Sequence, residues 1–200
     1  MGADALPVRR TRRGAVSAGG GAAVIVTRLD DAQLRTHVNE LAALLVDTVD
    51  SGASVGFLAP LDHAEAAAWW TGRADAVAAG QFAVWAAHDG PRVIGTVSLA
   101  FTGQPNGGHR AELVKLMVHR DARGRGLGSR LLATAEEAAV AAEITLLHLD
   151  TETDSAAEHL YRSAGWTRAG VIPDYAADPA GTLRPTTLYY KHVGGGTPTG

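Results

Sequence analysis

The chain has 200 residues, which is enough for one domain with a substantial core. Its formal net charge of −3 gives no electrostatic reason to expect binding to nucleic acid or to a membrane surface. No apolar run approaches the roughly 18–20 residues of a membrane span. The absence of cysteine excludes disulfides, thiolate nucleophiles and zinc–thiolate sites, and the eight histidines show no metal-ligand spacing, so we expect no metal.

Both ends of the sequence are predicted to lie outside the folded domain. Residues 1–21 contain four arginines and a glycine cluster without apolar periodicity. We interpret them as a disordered tail, with a basic contact arm as the alternative. They lack the apolar core of a secretory signal, which favours a cytoplasmic location. Residues 194–200 are expected to be a flexible tail, and residues 22–193 are expected to form a single domain.

The first half of the domain is predicted to contain a strand, two helices and three further strands. A strand at 22–29 precedes an amphipathic helix that begins at Asp30 or Asp31. An alanine-rich helix over 63–79 carries two adjacent tryptophans, one of which we expect in the core. Turn sequences then separate three antiparallel strands, which cover residues 82–87, 93–101 and 110–118.

The second half is predicted to alternate helices and strands. A glycine-rich loop opens a helix that ends near Ala142, and a strand at 144–151 follows. A short helix is capped by Ser155, with Glu158 three residues later in the capping-box pattern, and ends at Gly165. Two closing strands are expected at 166–171 and 186–192. The order β-α-α-β-β-β-α-β-α-β-β indicates a mixed α/β (α+β) fold with an antiparallel first half.

The strongest functional signal is the loop after the strand 110–118, which contains Arg123, Gly124, Arg125, Gly126 and Gly128. Glycines allow backbone N–H groups to approach a ligand, and the N-terminus of the following helix adds positive potential. The loop therefore predicts a pyrophosphate site. A Rossmann fingerprint fits less well, because Ser129 replaces its third glycine and three antiparallel strands precede it. A Walker loop is absent from the sequence.

The pattern Arg123-x-x-Gly126-x-Gly128, its flanking strand and helix, and the later segment HLYRSAGW resemble the GNAT family of N-acetyltransferases. The resemblance covers nearly all of residues 22–193. It implies a sheet of about six to seven strands with about four helices, and a cleft where the fourth and fifth strands splay apart. It also implies acetyl-CoA as the co-substrate.

The same resemblance implies which residues bind acetyl-CoA. The pantetheine and the acetyl carbonyl would contact the backbone of Leu116, Met117 and Val118. The pyrophosphate would lie against Arg123, Gly124, Arg125, Gly126, Leu127, Gly128 and Ser129. Asp154 stands where the family often has an asparagine that contacts pantetheine, and an aspartate cannot donate that hydrogen bond.

Catalysis is expected to proceed by direct attack of an amine in a ternary complex, because the chain has no cysteine to form an acyl-enzyme. The resemblance implies that Tyr161 is the acid that protonates the leaving thiolate, with a packed tyrosine as the alternative. Asp150 and Glu112 are the candidate bases, and Asp150 could also bind the substrate ammonium. For either carboxylate, a structural ion pair with Arg110 or Lys115 is the alternative.

Two loops, residues 51–58 and 174–184, are expected to form the walls of the acceptor site. The loop sequences are similar to those of a family member that acetylates a small amino-acid-like β-lactam toxin. This implies a small-molecule amine as the partner and antibiotic resistance as a role, and it leaves a homodimer open. The alternatives are an acetyltransferase of protein N-termini or lysines, and a non-catalytic acyl-CoA-binding module.

Overall fold

The computed structural model describes residues 24–195. The predicted tail 1–21 and most of the predicted tail 194–200 lie outside these residues. The elements, in chain order, are β1 (Ile25–Leu29), α1 (Asp31–Thr36), α2 (Val38–Asp50), α3 (His63–Thr71), α4 (Ala74–Ala78), β2 (Phe82–Asp89), β3 (Arg92–Phe101), β4 (Arg110–Val118), α5 (Leu127–Ala141), β5 (Leu146–Glu152), α6 (Ala156–Ser163), β6 (Thr167–Ala177) and β7 (Leu183–His192). None of the helices among them is long and apolar enough to cross a membrane.

The strands form one seven-stranded sheet in the order β1-β2-β3-β4-β5-β7-β6. Neighbouring strands are antiparallel except β4 and β5, which are parallel. The predicted mixed fold and strand number are confirmed. The described residues contain six helices rather than about four, because each of the two predicted N-terminal helices is divided.

The two divisions lie at His37 and at Gly72. Between α1 and α2, His37 has φ −96° and ψ 12°, outside the helical range, and it is the cap of both helices. Between α3 and α4, Gly72 has a low intrinsic preference for helix. The helical periodicity of the sequence continues through both breaks, which is why it predicted single helices.

The sheet separates two hydrophobic layers, because alternate residues of a strand point to opposite faces. In β2, Ala83 and Trp85 pack in the layer that contains α5 and Tyr161 of α6. Val84 and Ala86 pack in the layer that contains α1 to α4. Trp70 of α3 is fully buried in the second layer and its Nε1–H donates to a carbonyl of α2 at 3.1 Å, so it is the predicted core tryptophan.

A β-bulge interrupts this alternation in β4. Thr96 pairs with Met117 and Ser98 with Val114, so that two residues of β4 stand opposite one residue of β3. Lys115, within the bulge, has φ 53°, which is rare for a residue with a side chain. Because of the extra residue, Met117 is buried in the layer of α1 to α4 rather than on the α5 side.

β4 and β5 pair over three positions only, from Arg110 opposite Leu146 to Glu112 opposite His148. Beyond Glu112, β4 continues beside β3 and β5 continues beside β7. The two strands therefore diverge, as the resemblance implied, and their facing edges are left without a strand partner.

The prediction of a loop over residues 174–184 is wrong for most of its length. β6 extends to Ala177 and β7 begins at Leu183, so the connection is a tight turn. The prolines and glycine of this region suggest a loop, but a register shift between Ile172 and Ala176 accommodates Pro173. The hairpin still approaches the predicted loop 51–58, because the Ala59 N–H donates to the Pro179 carbonyl at 2.8 Å.

Candidate active site

A cleft of about 910 Å³ opens where β4 and β5 diverge. Its floor is the second half of β4, and its walls come from residues 51–56, the start of α5, α6 and the β6–β7 hairpin. All of the predicted site residues line it except Arg125 and Asp154. The topology therefore brings together segments that are more than a hundred residues apart in the chain, from Thr48 to Thr186.

The glycine-rich loop presents free N–H groups to one end of the cleft. Gly124 and Gly126 have φ values of 74° and 75°, which side-chain-bearing residues rarely adopt. The first hydrogen bond within α5 is that of the Arg130 N–H to the Gly126 carbonyl, at 3.1 Å. The three preceding N–H groups, of residues 127–129, therefore have no acceptor within the helix. A Cβ on Gly128 would lie 3.2 Å from Leu160, so the loop also packs closely against α6.

Arg123 fixes this loop against the end of α2 and the end of β4. Its Nη2 donates to Ser51 Oγ at 2.7 Å, and its Nε donates to the Val118 carbonyl at 3.0 Å. Arg123 lines the same cleft as residues 126–129. Arginine and helix N-terminus together form a site suited to an anion with several oxygens.

Arg125 and Asp154 lie away from the cleft. Arg125 lines a small neighbouring pocket together with Arg130 and Asp89. Asp154 is exposed, and its N–H donates to the Glu158 carboxylate at 2.6 Å. The predicted roles of both residues in binding acetyl-CoA remain predictions.

The three predicted backbone contacts of β4 differ in direction. In an antiparallel pair, backbone groups alternately face the partner strand and face away from it. The His119 N–H donates to a β3 carbonyl at 2.9 Å, and Met117, two residues earlier, has the same orientation. The backbone groups of Leu116 and Val118 therefore face the opening toward β5, whereas those of Met117 face β3.

Tyr161 reaches the cleft from the α5 side of the sheet. Its side chain is only 6% exposed, and its ring packs against Trp166 and Tyr189. Its hydroxyl has no hydrogen-bond partner within residues 24–195. Burial raises the pKa of the Tyr161 phenol above its ordinary value of 10.0, and the Asp150 carboxylate raises it further. The phenol is therefore a protonated donor at neutral pH.

The α6 helix that carries Tyr161 is held by Glu158. Ser155 Oγ caps the helix and accepts from the Glu158 N–H at 3.2 Å, as the capping-box pattern predicted. The Glu158 carboxylate does not accept a hydrogen bond from the Ser155 N–H, which would complete the capping box. Instead it accepts from the Asp154 N–H and from the Tyr189 hydroxyl, at 2.6 and 2.8 Å. A buried carboxylate thus ties α6 to β7.

Glu112 and Asp150 lie on the opposite face of the sheet from Tyr161. Glu112 precedes Leu113 in β4, and Asp150 follows Leu149 in β5. Both leucines pack in the layer of α5, so the two carboxylates point to the opposite face of the sheet. Neither carboxylate forms an ion pair with any described residue, so the structural alternative gains no support. The candidate acid and the candidate bases thus approach the opening between β4 and β5 from its two sides.

Lys115 is a cleft residue for which the sequence indicated only the role of an ion-pair partner. Its Nζ donates to the Val55 carbonyl at 2.7 Å and lies 4.9 Å from the Trp69 ring centroid and 5.6 Å from that of Phe57. Burial lowers the pKa of its ammonium, and Arg73 lowers it further, whereas the carboxylates on the same side of the cleft raise it. An isolated cation in the apolar segment LVKLMV was the signal available.

A profile of the acetyltransferase (GNAT) family matches residues 50–166, which include β4, the glycine-rich loop, β5 and α6. The chain belongs to this acetyltransferase family. Solved structures with the same fold include an N-acetyltransferase from Staphylococcus aureus Mu50, with 17% identity, a TM-score of 0.71, and coverage of 86% of this chain and 99% of that one.

Two further structures of this fold were determined with acetyl-CoA. A GNAT superfamily phosphinothricin acetyltransferase from Sinorhizobium meliloti has 19% identity and a TM-score of 0.70, with 88% of this chain and 92% of that one covered. An acetyltransferase from Salmonella typhimurium has 19% identity and a TM-score of 0.68, with 84% and 93% covered. At this level of identity, the three structures establish the shared fold.

Proposed function

We propose that this acetyltransferase transfers the acetyl group of acetyl-CoA to the amine of a small amino-acid-like acceptor by direct attack in a ternary complex. The observation that carries the proposal is the arrangement of the cleft. A cradle for an anion lies at one end, and a protonated tyrosine and two unpaired carboxylates flank the opening between β4 and β5.

The residues of the cleft fit acetyl-CoA. The free N–H groups at the start of α5 and the Arg123 guanidinium would hold the pyrophosphate. The outward backbone groups of Leu116 and the outward N–H of Val118 would pair with the amides of pantetheine, as a strand would. Bound there, acetyl-CoA supplies a thioester whose carbonyl carbon accepts the amine.

The side chains around the opening then accept and donate the protons of the reaction. The amine nitrogen forms a bond to the carbonyl carbon, and Asp150 or Glu112 takes the proton that the nitrogen loses. The bond from carbon to sulfur breaks with its electron pair remaining on sulfur, and the Tyr161 hydroxyl supplies a proton to it. Solvent then restores the proton of Tyr161 and removes that of the carboxylate, which leaves the enzyme unchanged.

The acceptor class rests on likeness in the loops. The segments around the cleft, among them 51–57, 105–118 and 173–191, resemble the tabtoxin resistance protein, which acetylates an amino-acid-like β-lactam. A structure of the same fold is that of a phosphinothricin acetyltransferase. Both support an amino-acid-like acceptor, and a toxin or antibiotic of this class would make the chain a resistance enzyme.

The test is CoA-thiol release from acetyl-CoA with four groups of acceptors: amino-acid-like β-lactams including tabtoxin-type compounds, free amino acids with phosphinothricin, aminoglycosides, and short peptides. Turnover confined to amino-acid-like compounds supports the proposal. Turnover on peptides alone supports an enzyme of protein N-termini or lysines. Binding of acetyl-CoA with no turnover on any amine supports a non-catalytic module and contradicts the proposal.

A further inference from the structure

Lys115 has hydrogen-bonding capacity that the protein leaves unused. A lysine ammonium has three N–H donors, and one of them is taken by the Val55 carbonyl at 2.7 Å. The ammonium forms no ion pair within the described part of the chain. It nevertheless lines the cleft, half-buried, between the rings of Phe57 and Trp69.

A second cation, Arg73, lies against the same tryptophan ring as Lys115. The Arg73 guanidinium lies 4.7 Å from the centroid of the same Trp69 ring, and its Nε is buried without a hydrogen-bond partner. Two like charges on one indole repel each other, and partial burial of both is costly without an anion. The described residues place no carboxylate in ion-pair contact with either of them.

The carboxylates of Glu112 and Asp150 restrict which anion can enter. They lie on the same side of the sheet as Lys115 and are close enough to influence its pKa. A simple anion would be attracted by the lysine and repelled by the carboxylates. A zwitterion would be attracted by both kinds of charge, because its ammonium would face the carboxylates while its anionic group faces the lysine.

We propose that Lys115 determines the specificity for the acceptor by binding its carboxylate, or an equivalent anionic group, while Glu112 and Asp150 bind the amine that is acetylated. This inference rests on the proposed function and adds a requirement to it. The acceptor must carry an anionic group close to its reacting amine. The β4 bulge is what brings Lys115 into this position, since it turns the side chain toward Val55 and Trp69.

The test compares each of a series of L-α-amino acids with its own α-carboxamide, in which a neutral group of similar size replaces the carboxylate. Because the amine of the amide is less basic than that of the acid, each acceptor concentration is expressed as that of the neutral amine. The kcat/KM for CoA-thiol release is measured for the wild type, Lys115→Gln and Lys115→Arg. Glutamine retains an N–H donor for Val55 without the charge, and arginine retains the charge. Lys191→Gln is the matched control, because Lys191 is the only other lysine and pairs with Glu136 away from the cleft.

We expect the wild type to prefer the acid over the amide by about tenfold to a hundredfold, the range of one charged hydrogen bond. Lys115→Gln should lower this ratio to about one, through a higher KM for the acid, while Lys115→Arg and Lys191→Gln retain it. Equal wild-type activity on acid and amide overturns the proposal without any variant. A ratio unchanged in Lys115→Gln, with acetyl-CoA binding intact by calorimetry, overturns it too. No CoA release with any amine refutes the proposed function itself, and the inference with it.

Discussion

Replacing Tyr161 with phenylalanine should separate catalysis from folding. The change removes the phenol proton that we assign to the leaving sulfur, so kcat should fall by about a hundredfold or more. The hydroxyl has no partner among the described residues, so its loss breaks no hydrogen bond of the protein. The free energy of unfolding should therefore change by no more than about 0.5 kcal/mol.

Tyr189 provides the matched control. It is 1% exposed and its ring packs near that of Tyr161, but its hydroxyl donates to Glu158 at 2.8 Å. Tyr189→Phe removes a hydrogen bond to a charged group, which should cost about 1.5–3 kcal/mol. For a domain of this size, that corresponds to a decrease in Tm of roughly 3–12 °C. The kcat should stay close to that of the wild type.

The assay is steady-state CoA release with the best acceptor, beside thermal unfolding and calorimetric binding of acetyl-CoA for both variants. We expect opposite profiles, with Tyr161→Phe slow and stable, and Tyr189→Phe active and less stable. Full activity of Tyr161→Phe would refute the assignment of the acid. A large loss of stability in Tyr161→Phe would show instead that the packed-tyrosine interpretation was correct.

Three further outcomes are expected. Arg123→Ala should raise the KM for acetyl-CoA about tenfold, whereas Arg125→Ala should raise it less, because Arg125 lies outside the cleft. Equal effects of the two substitutions in steady-state kinetics would contradict the placement of the pyrophosphate. Gly126→Ala and Gly165→Ala both introduce a side chain at positive φ, so each should lower the free energy of unfolding by about 1–2 kcal/mol. Only Gly126→Ala should also weaken the binding of acetyl-CoA, as measured by calorimetry. Because the pKa of Tyr161 is raised above 10.0, its phenol stays protonated below that pH, and kcat should show no descending limb between about pH 7 and pH 10. A descending limb in that range that disappears in Tyr161→Phe would contradict the raised pKa of the phenol.

Local patterns predicted the order of the elements well, because turns and caps have short-range causes. The turn at Pro105, the β4 bounds, the Ser155 cap and the end of the last helix at Gly165 all lie where the residues indicated. The loop predicted over residues 174–184 was wrong because the structure there depends on distant contacts. The hairpin of β6 and β7 extends through Pro173 because an edge strand tolerates a register shift there.

The sequence indicated the glycine-rich loop, the two carboxylates and the loop 51–58 as parts of the site, but it did not indicate the position of Lys115. The segment RAELVKLMV shows no local sign of a bulge, since the bulge is defined by its register with β3. It is the bulge that places Lys115 against Trp69 and turns the backbone of Met117 toward β3. The direction of each side chain across the cleft therefore required the three-dimensional pairing of the strands.

The most direct test of the central claim is a crystal structure of the protein with CoA. We expect the pyrophosphate to lie within hydrogen-bond distance of the N–H groups of residues 127–129 and of Arg123. We expect the sulfur to lie between β4 and β5, within reach of the Tyr161 hydroxyl. A sulfur on the far side of the sheet from Tyr161, or CoA bound outside this cleft, would contradict the proposed mechanism.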